Sequence, residues 1–211
     1  MTSSFFNSHE RATIEAAMAR IIPTDDTPGA REAGCIDFVD RYLSGLDYIL
    51  AKPDGSGFET LKGPNAQAWT RRLKIMRGKY VAGIHDLDVR AQAVGGRDFL
   101  ALSPQQQDQT LREVEASESG DIGPSGLSDQ PALQQTSTEM DLAFLALLIT
   151  HTRQGFYSDP IYGGNRNQSG WKTIGFPGPA SLKEVHTGRY TTLAYFVEGE
   201  ANKVKEFHDG L

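Results

Sequence analysis

Residues 69–87 read WTRRLKIMRGKYVAGIHDL. Trp69, Leu73, Met76, Tyr80, Ile84 and Leu87 recur at steps of 4, 3, 4, 4 and 3. That is the spacing of one face of an α-helix. No convincing strand alternation appears anywhere before residue 185. The fold class this predicts is all-α: an irregular helical bundle with long loops. Gly78 and Gly83 interrupt the helix, each weakening it in isolation by about 1 kcal/mol relative to Ala. The alternative role for them is to admit a neighbour at close range.

Other helix signals lie on both sides. Asn7 and Glu10 form a capping box, followed by Ile14, Met18, Ile21 and Ile22 on one face, and Pro23 ends the run. In PTDDTPGA, Asp25, Asp26 or Thr27 is placed to cap the next helix, whose stripe is Ile36, Val39, Leu43, Leu46 and Leu50. AKPDGSGFETLKGPN reads as a loop. Ser103, Pro104 and Gln106 open a further helix, and the polar stretch Ser117–Pro131 breaks it. Thr136 and Glu139 form another box, opening a helix through MDLAFLALLITHTRQGF that is apolar on nearly every side and therefore central. RYTTLAYFVEGE fits a short strand or a final helix.

The 211 residues predict a single domain, with a core at about 9–178 and a tail at 179–211. The net charge of −6 gives no electrostatic footprint for nucleic acid. A single cysteine, Cys35, excludes an internal disulfide. The longest apolar run, Leu142–Ile149, is far short of the roughly 20 residues of a membrane span. No export signal is visible, so the chain as it stands reads as cytoplasmic. A removed leader, or a leader on a partner, would make it periplasmic.

No motif assembles a catalytic set. His85, Asp86 and Asp88 are spaced one and three apart, which does not gather three ligands on one helix side and suits a solvated face. His151 admits two readings, an acid–base group in a cleft or a residue favoured near a helix C-terminus. Asp25 and Asp26 read as caps, Cys35 as a buried structural thiol, and Arg71–Lys74 as a solvated basic face. YGGN lacks the glycine order of a dinucleotide loop.

The segment FYSDPIYGGNRNQSGWKTIGFPG, residues 156–178, is rich in rings and glycine but has no period. Phe156, Tyr157, Tyr162, Trp171 and Phe176, with Asn165 and Arg166 between them, have the composition of an interface. Alternatively, these rings fold back over the chain's own helices. Two further readings remain open: an enzyme using His151 in a cleft lined by this segment, and a carbohydrate-binding module with Trp171 and Tyr162 as stacking platforms.

ERATIEAAMARIIPTDDTPGAREAGCIDFVDRYL, FLALSPQQQDQTLREVE and HTRQGFYSDPIYGGNRNQSGWKTIGFPG together resemble the subunit 3 family of gluconate 2-dehydrogenase. The resemblance implies a helical, non-catalytic small subunit that carries no cofactor of its own. It would bind, stabilise and help mature a large FAD-binding subunit of the glucose–methanol–choline type. That partner oxidises a sugar hydroxyl and passes electrons onward, often to a cytochrome c subunit. The family pattern often begins with a twin-arginine leader, which this chain lacks.

Overall fold

A computed structural model describes residues 4–119, 139–176, 178 and 182–186. Among them the chain is all-α: α1 (Ser8–Ile21), α2 (Cys35–Ser44), α3 (Gly63–Gly95), α4 (Pro104–Ser119), α5 (Phe144–Tyr157), α6 (Ser169–Thr173) and α7 (Leu182–His186). Short 3-10 turns link several of these. No strand is present among the described residues, only an isolated antiparallel bridge between Ala51 and Phe58. The segment 189–200, read as strand or helix, lies outside them.

The local signals hold where the cap is local. Asn7 accepts from the Glu10 amide, and Glu10 reaches back to the Asn7 amide, both at 2.9 Å. Ser103 and Gln106 make the same reciprocal pair at the start of α4. The stripe of α3 is buried from Leu73 to Leu87, as its spacing predicts.

Three expectations change. The stripe of α2 stops at Leu43, and Leu50 is exposed. Gly45 leaves the helix, and Arg77 from α3 takes the last carbonyls, bonding Leu43 O at 2.7 Å and Ser44 O at 2.9 Å. The N-cap of α2 is Gly34, not an acidic residue; Asp25 instead accepts from Thr27 within its own turn. The third change concerns α5. It begins at Phe144, so Glu139 does not sit in its first turn, and Thr136 lies outside the described residues. The amide of Leu145 is met by the carboxylate of Glu118, from the end of α4, at 3.1 Å. A cap across the fold replaces the local one. The same geometry shortens the break expected at Ser117–Pro131, because α4 runs on to Ser119.

α5 is the centre, as its composition predicts. Leu145, Leu147, Leu148, His151, Thr152 and Phe156 are buried. It packs side by side with α2, and also against α1, α3, α4 and α6, while α3 pairs with α4. Its N-terminus presses Phe144 against α3 at Gly83, where a Cβ would stand 2.1 Å from the ring. Gly83 is therefore the close-approach site that the sequence offered as an alternative. Gly78 has open space around it and serves no such purpose.

The two glycines should respond oppositely. Gly83→Ala forces Phe144 aside and should lower stability by about 1–3 kcal/mol. Gly78→Ala should raise it by about 1 kcal/mol. Denaturant unfolding of both variants checks this, and an equal response would refute the packing assignment.

Candidate functional site

The segment after α5 answers to that helix's end. The last carbonyls of any helix lack partners within it. Here the chain turns back and supplies them. The Asn165 amide donates to Gly155 O at 2.7 Å, and the Asn165 side chain donates to Ser158 O at 2.9 Å. Trp171 Nε1 donates to Tyr157 O at 2.7 Å. Gly164 and Gly170 permit the approach: a Cβ would lie 2.1 Å from Gly155 O and 1.9 Å from Phe156 O respectively. Asn165 holds a left-handed backbone (φ 47°), a conformation asparagine tolerates better than most residues.

These contacts divide the residues singled out in the sequence. Phe156, Asn165 and Trp171 are buried by the chain's own fold, which removes them from any surface open to a partner. Tyr157 and Phe176 stay exposed, and Tyr162 half-buried. Arg166 is exposed but tied to Asp37 of α2 at 2.5 Å. With Trp171 enclosed, the pair Trp171 and Tyr162 is not an open stacking platform.

A pocket of about 470 Å³ opens beside this segment. α2 contributes Phe38 and Tyr42, the turn after it Tyr48, and α3 Trp69 and Arg72. The end of α5 adds Tyr157 and Ser158, and Tyr162 closes one side. The rings touch edge to face: Tyr42 meets Trp69 at 6.2 Å, and Phe58 links Tyr48 to Tyr162 at 5.5 and 5.6 Å. The Arg72 guanidinium lies 4.7 Å over the Trp69 ring, the range of a cation–π contact.

Glu139 forms the polar floor. Its carboxylate accepts from Arg72 at 2.5 Å, Gln154 at 2.8 Å and the Tyr42 hydroxyl at 3.1 Å. Burial alone would raise its pKa, but His151, Arg72 and Gln154 outweigh burial and hold it far below the usual carboxylate range. Burial and the charge of Glu139 push the Tyr42 hydroxyl well up, so it stays protonated.

Behind Glu139 stands His151, fully buried in the body of α5 rather than at its C-terminus. Its Nδ1 lies 2.9 Å from the Tyr80 hydroxyl. Burial keeps that hydroxyl protonated. That bond anchors the imidazole to α3. Nε2 is 3.7 Å from Glu139, too long for a hydrogen bond. His151 has no exposed surface, and the Glu139 carboxylate is engaged by Arg72, Gln154 and Tyr42. Neither His151 reading from the sequence describes what the residue does: it backs the floor of the pocket.

The remaining candidates fall apart in space. Cys35 is buried, which pushes its thiol up to about 12, as a structural thiol should be. His85 faces solvent, while Asp86 pairs with Arg90 and Asp88 with His9. In the basic run Arg71–Lys74 only Arg71 and Lys74 are exposed; Arg72 turns inward. Sequence reasoning missed Arg72 and Glu139. The one available signal was that Arg72 lies one residue before Leu73 and three after Trp69, at the edge of the buried stripe.

The all-α fold and the ring-walled pocket over a capped helix describe a small helical module. The chain belongs to the gluconate 2-dehydrogenase subunit 3 family, whose model matches residues 8–178. No curated protein and no solved structure matches it.

The floor predicts a pH signature. A carboxylate with a depressed folded pKa stabilises the fold above its unfolded value, and that contribution is lost as pH falls toward the folded value. Glu139→Gln should cost about 2–3 kcal/mol near pH 7, because it leaves Arg72 without its counter-charge. The gap to wild type should shrink steadily once pH drops below about 4. Paired denaturation curves across that range are the check; a gap independent of pH would contradict the charged floor.

Proposed function

We propose that this chain is a non-catalytic small subunit that binds, stabilises and helps mature an FAD-dependent sugar or glycoside dehydrogenase of the glucose–methanol–choline type. The observation that carries the reading is the family match across residues 8–178, a family of dehydrogenase subunits. The fold supports it. In the pocket Arg72, Gln154 and the Tyr42 hydroxyl all bond Glu139, while Tyr157, Ile174 and Phe176 present apolar surface around the capped end of α5. Exposed aromatic side chains on a rigid base suit a protein partner. The flavin belongs to the large subunit, electrons leave through it, in some complexes to a cytochrome c, and the compartment follows that of the flavoprotein. A partner that binds only the folded flavoprotein stabilises it by mass action, by about 2.7 kcal/mol at a hundredfold excess over Kd.

Expression of the large subunit with and without this chain tests the reading. Alone, the large subunit should be poorly soluble or low in FAD; full flavination and solubility without the small chain would refute the maturation role. The double variant Tyr157→Ala, Phe176→Ala should weaken assembly by roughly 2 kcal/mol while leaving the small chain folded. Trp171→Ala should instead lower the melting temperature of the small chain itself, since it removes a buried ring and a carbonyl's donor. Co-purification and melting curves separate the two behaviours.

A further inference from the structure

α3 gives only one side to the core. Its other side, from Ile75 to Gln92, faces solvent over about 26 Å of helix. Ile75, Gly78, Ala82, His85, Val89 and Gln92 are all exposed, and they step by 3, 4, 3, 4 and 3. That is the seam of a coiled coil, drawn on a surface that nothing in the described chain covers. Val81 lies beside it, 54% exposed, and Val89 within it is 53% exposed. None of these residues is Asp, Glu, Lys or Arg. The charged residues Lys79, Asp86, Asp88 and Arg90 flank the seam, each half-buried. An uncharged strip of this length on an acidic chain marks a contact surface. We propose that the seam pairs with the same seam of a second copy of this chain, antiparallel about a two-fold axis. The proposal goes beyond the subunit reading and does not depend on it.

The occupant follows from charge and size. Seam positions of one helix meet those of the other, and the residues beside the seam decide partner and direction through their charges. With the axis between Gly83 and Ile84, Gly78 faces Val89 of the second copy and Ala82 faces His85, small against large each time. The same register sets Lys79 beside Asp86 of the second copy, and the two-fold axis repeats that pair, so two opposite-charge contacts flank one seam. Both groups reach the flank. The Lys79 ammonium has three donors, of which Leu142 O takes one, and the Asp86 side chain is 42% exposed beside Arg90. A parallel pairing does the reverse: it sets Lys74 against Lys79 of the second copy, twice. Gly78 has open space around it in the single chain, which admits the opposing valine. His85 and Gln92 are polar seam residues, which fix register at a cost in stability. One helix face of small residues falls short of the roughly 800 Å² per partner of a standard interface, so the dimer is weak and forms with rising concentration.

Sedimentation of the full chain from about 10 µM to about 1 mM tests this, since a weak dimer must populate with concentration. A reversible monomer–dimer equilibrium is expected. Val89→Lys changes an exposed position and places a second ammonium near Lys79 of the other copy. It should weaken pairing at least about tenfold at an unchanged melting temperature of the dilute chain. Charge exchange reads the register. Lys79→Glu and Asp86→Lys should each weaken self-association at least about threefold, because each sets like charges together on both flanks. Mixed in equal amounts, the two variants match at both flanks and should recover dimer as a heterodimer, near the wild-type level. If Lys79→Glu does not fold, Val89→Lys decides alone. Three results would each overturn the proposal: a wild-type chain that is monomeric throughout, Val89→Lys pairing as wild type does, or two folded charge variants that associate no better together than apart. After the first, protection of α3 from hydrogen exchange only when the large subunit is added would assign this face to that chain instead.

Discussion

The constraint that organises this molecule is the burial of α5. A helix that apolar lowers the free energy only when it is surrounded, and a surrounded helix cannot leave its terminal amides and carbonyls to water. Unmet buried backbone groups cost about 1–3 kcal/mol each. Both ends are therefore met by distant parts of the chain. Glu118 delivers a carboxylate to the first turn, where the helix dipole also favours negative charge. Burial raises the pKa of that carboxyl even so, which shows how far it has been drawn from water. At the other end Asn165 and Trp171 return from the irregular segment. That segment has no period because its geometry is dictated by the helix end it caps, not by a repeat of its own.

The same burial explains the polar cluster. His151 sits on the face of α5 toward α3, stacked on Tyr80 at 5.7 Å and edge-on to Tyr42 at 5.3 Å. A polar group there needs partners, and it finds one in Tyr80 and a second approach in Glu139. Glu139 in turn requires Arg72. The chain of dependence runs from an apolar helix to a ring-walled pocket with a charged but electrically balanced floor. A buried pair of this kind adds little net stability compared with apolar packing, but it costs heavily when half is removed. Its effect is to fix how α3, α5 and the residues before α5 meet.

What the sequence disclosed depended on how local each feature is. The stripe of α3, the capping boxes at Asn7 and Ser103, and the central place of α5 are set by residues within a turn or two of each other, and each was readable. The errors at the end of α2, at the start of α5 and in the pocket have the opposite character. The end of α2 is decided by Arg77, more than thirty positions away, and the start of α5 by Glu118, across residues 120–138. Glu139 looked like a capping residue because its spacing from Thr136 is right; three long-range partners claim it instead. Arg72 looked like part of a basic surface because neighbours at 71 and 74 are, and nothing local distinguishes a guanidinium that will fold under a tryptophan. The family resemblance was legible in long quoted stretches, whereas the pocket was not legible anywhere, since its walls come from four separate parts of the chain.

The division of labour within residues 156–178 follows from the same geometry. Phe156 and Tyr157 are adjacent on a helix, so their side chains point about 100° apart; one enters the core and the other faces out. Asn165 and Trp171 are consumed by carbonyls, which leaves Tyr162, Arg166 and Phe176 on the outside of a turn that those bonds have already fixed. A surface held this way loses little conformational freedom when something binds, and so keeps more of its contact energy as affinity. Residues invisible to a ligand or partner thus determine how tightly the visible ones can hold it, and a single feature, the capped end of α5, underlies both the stability of the core and the rigidity of the rim of the pocket.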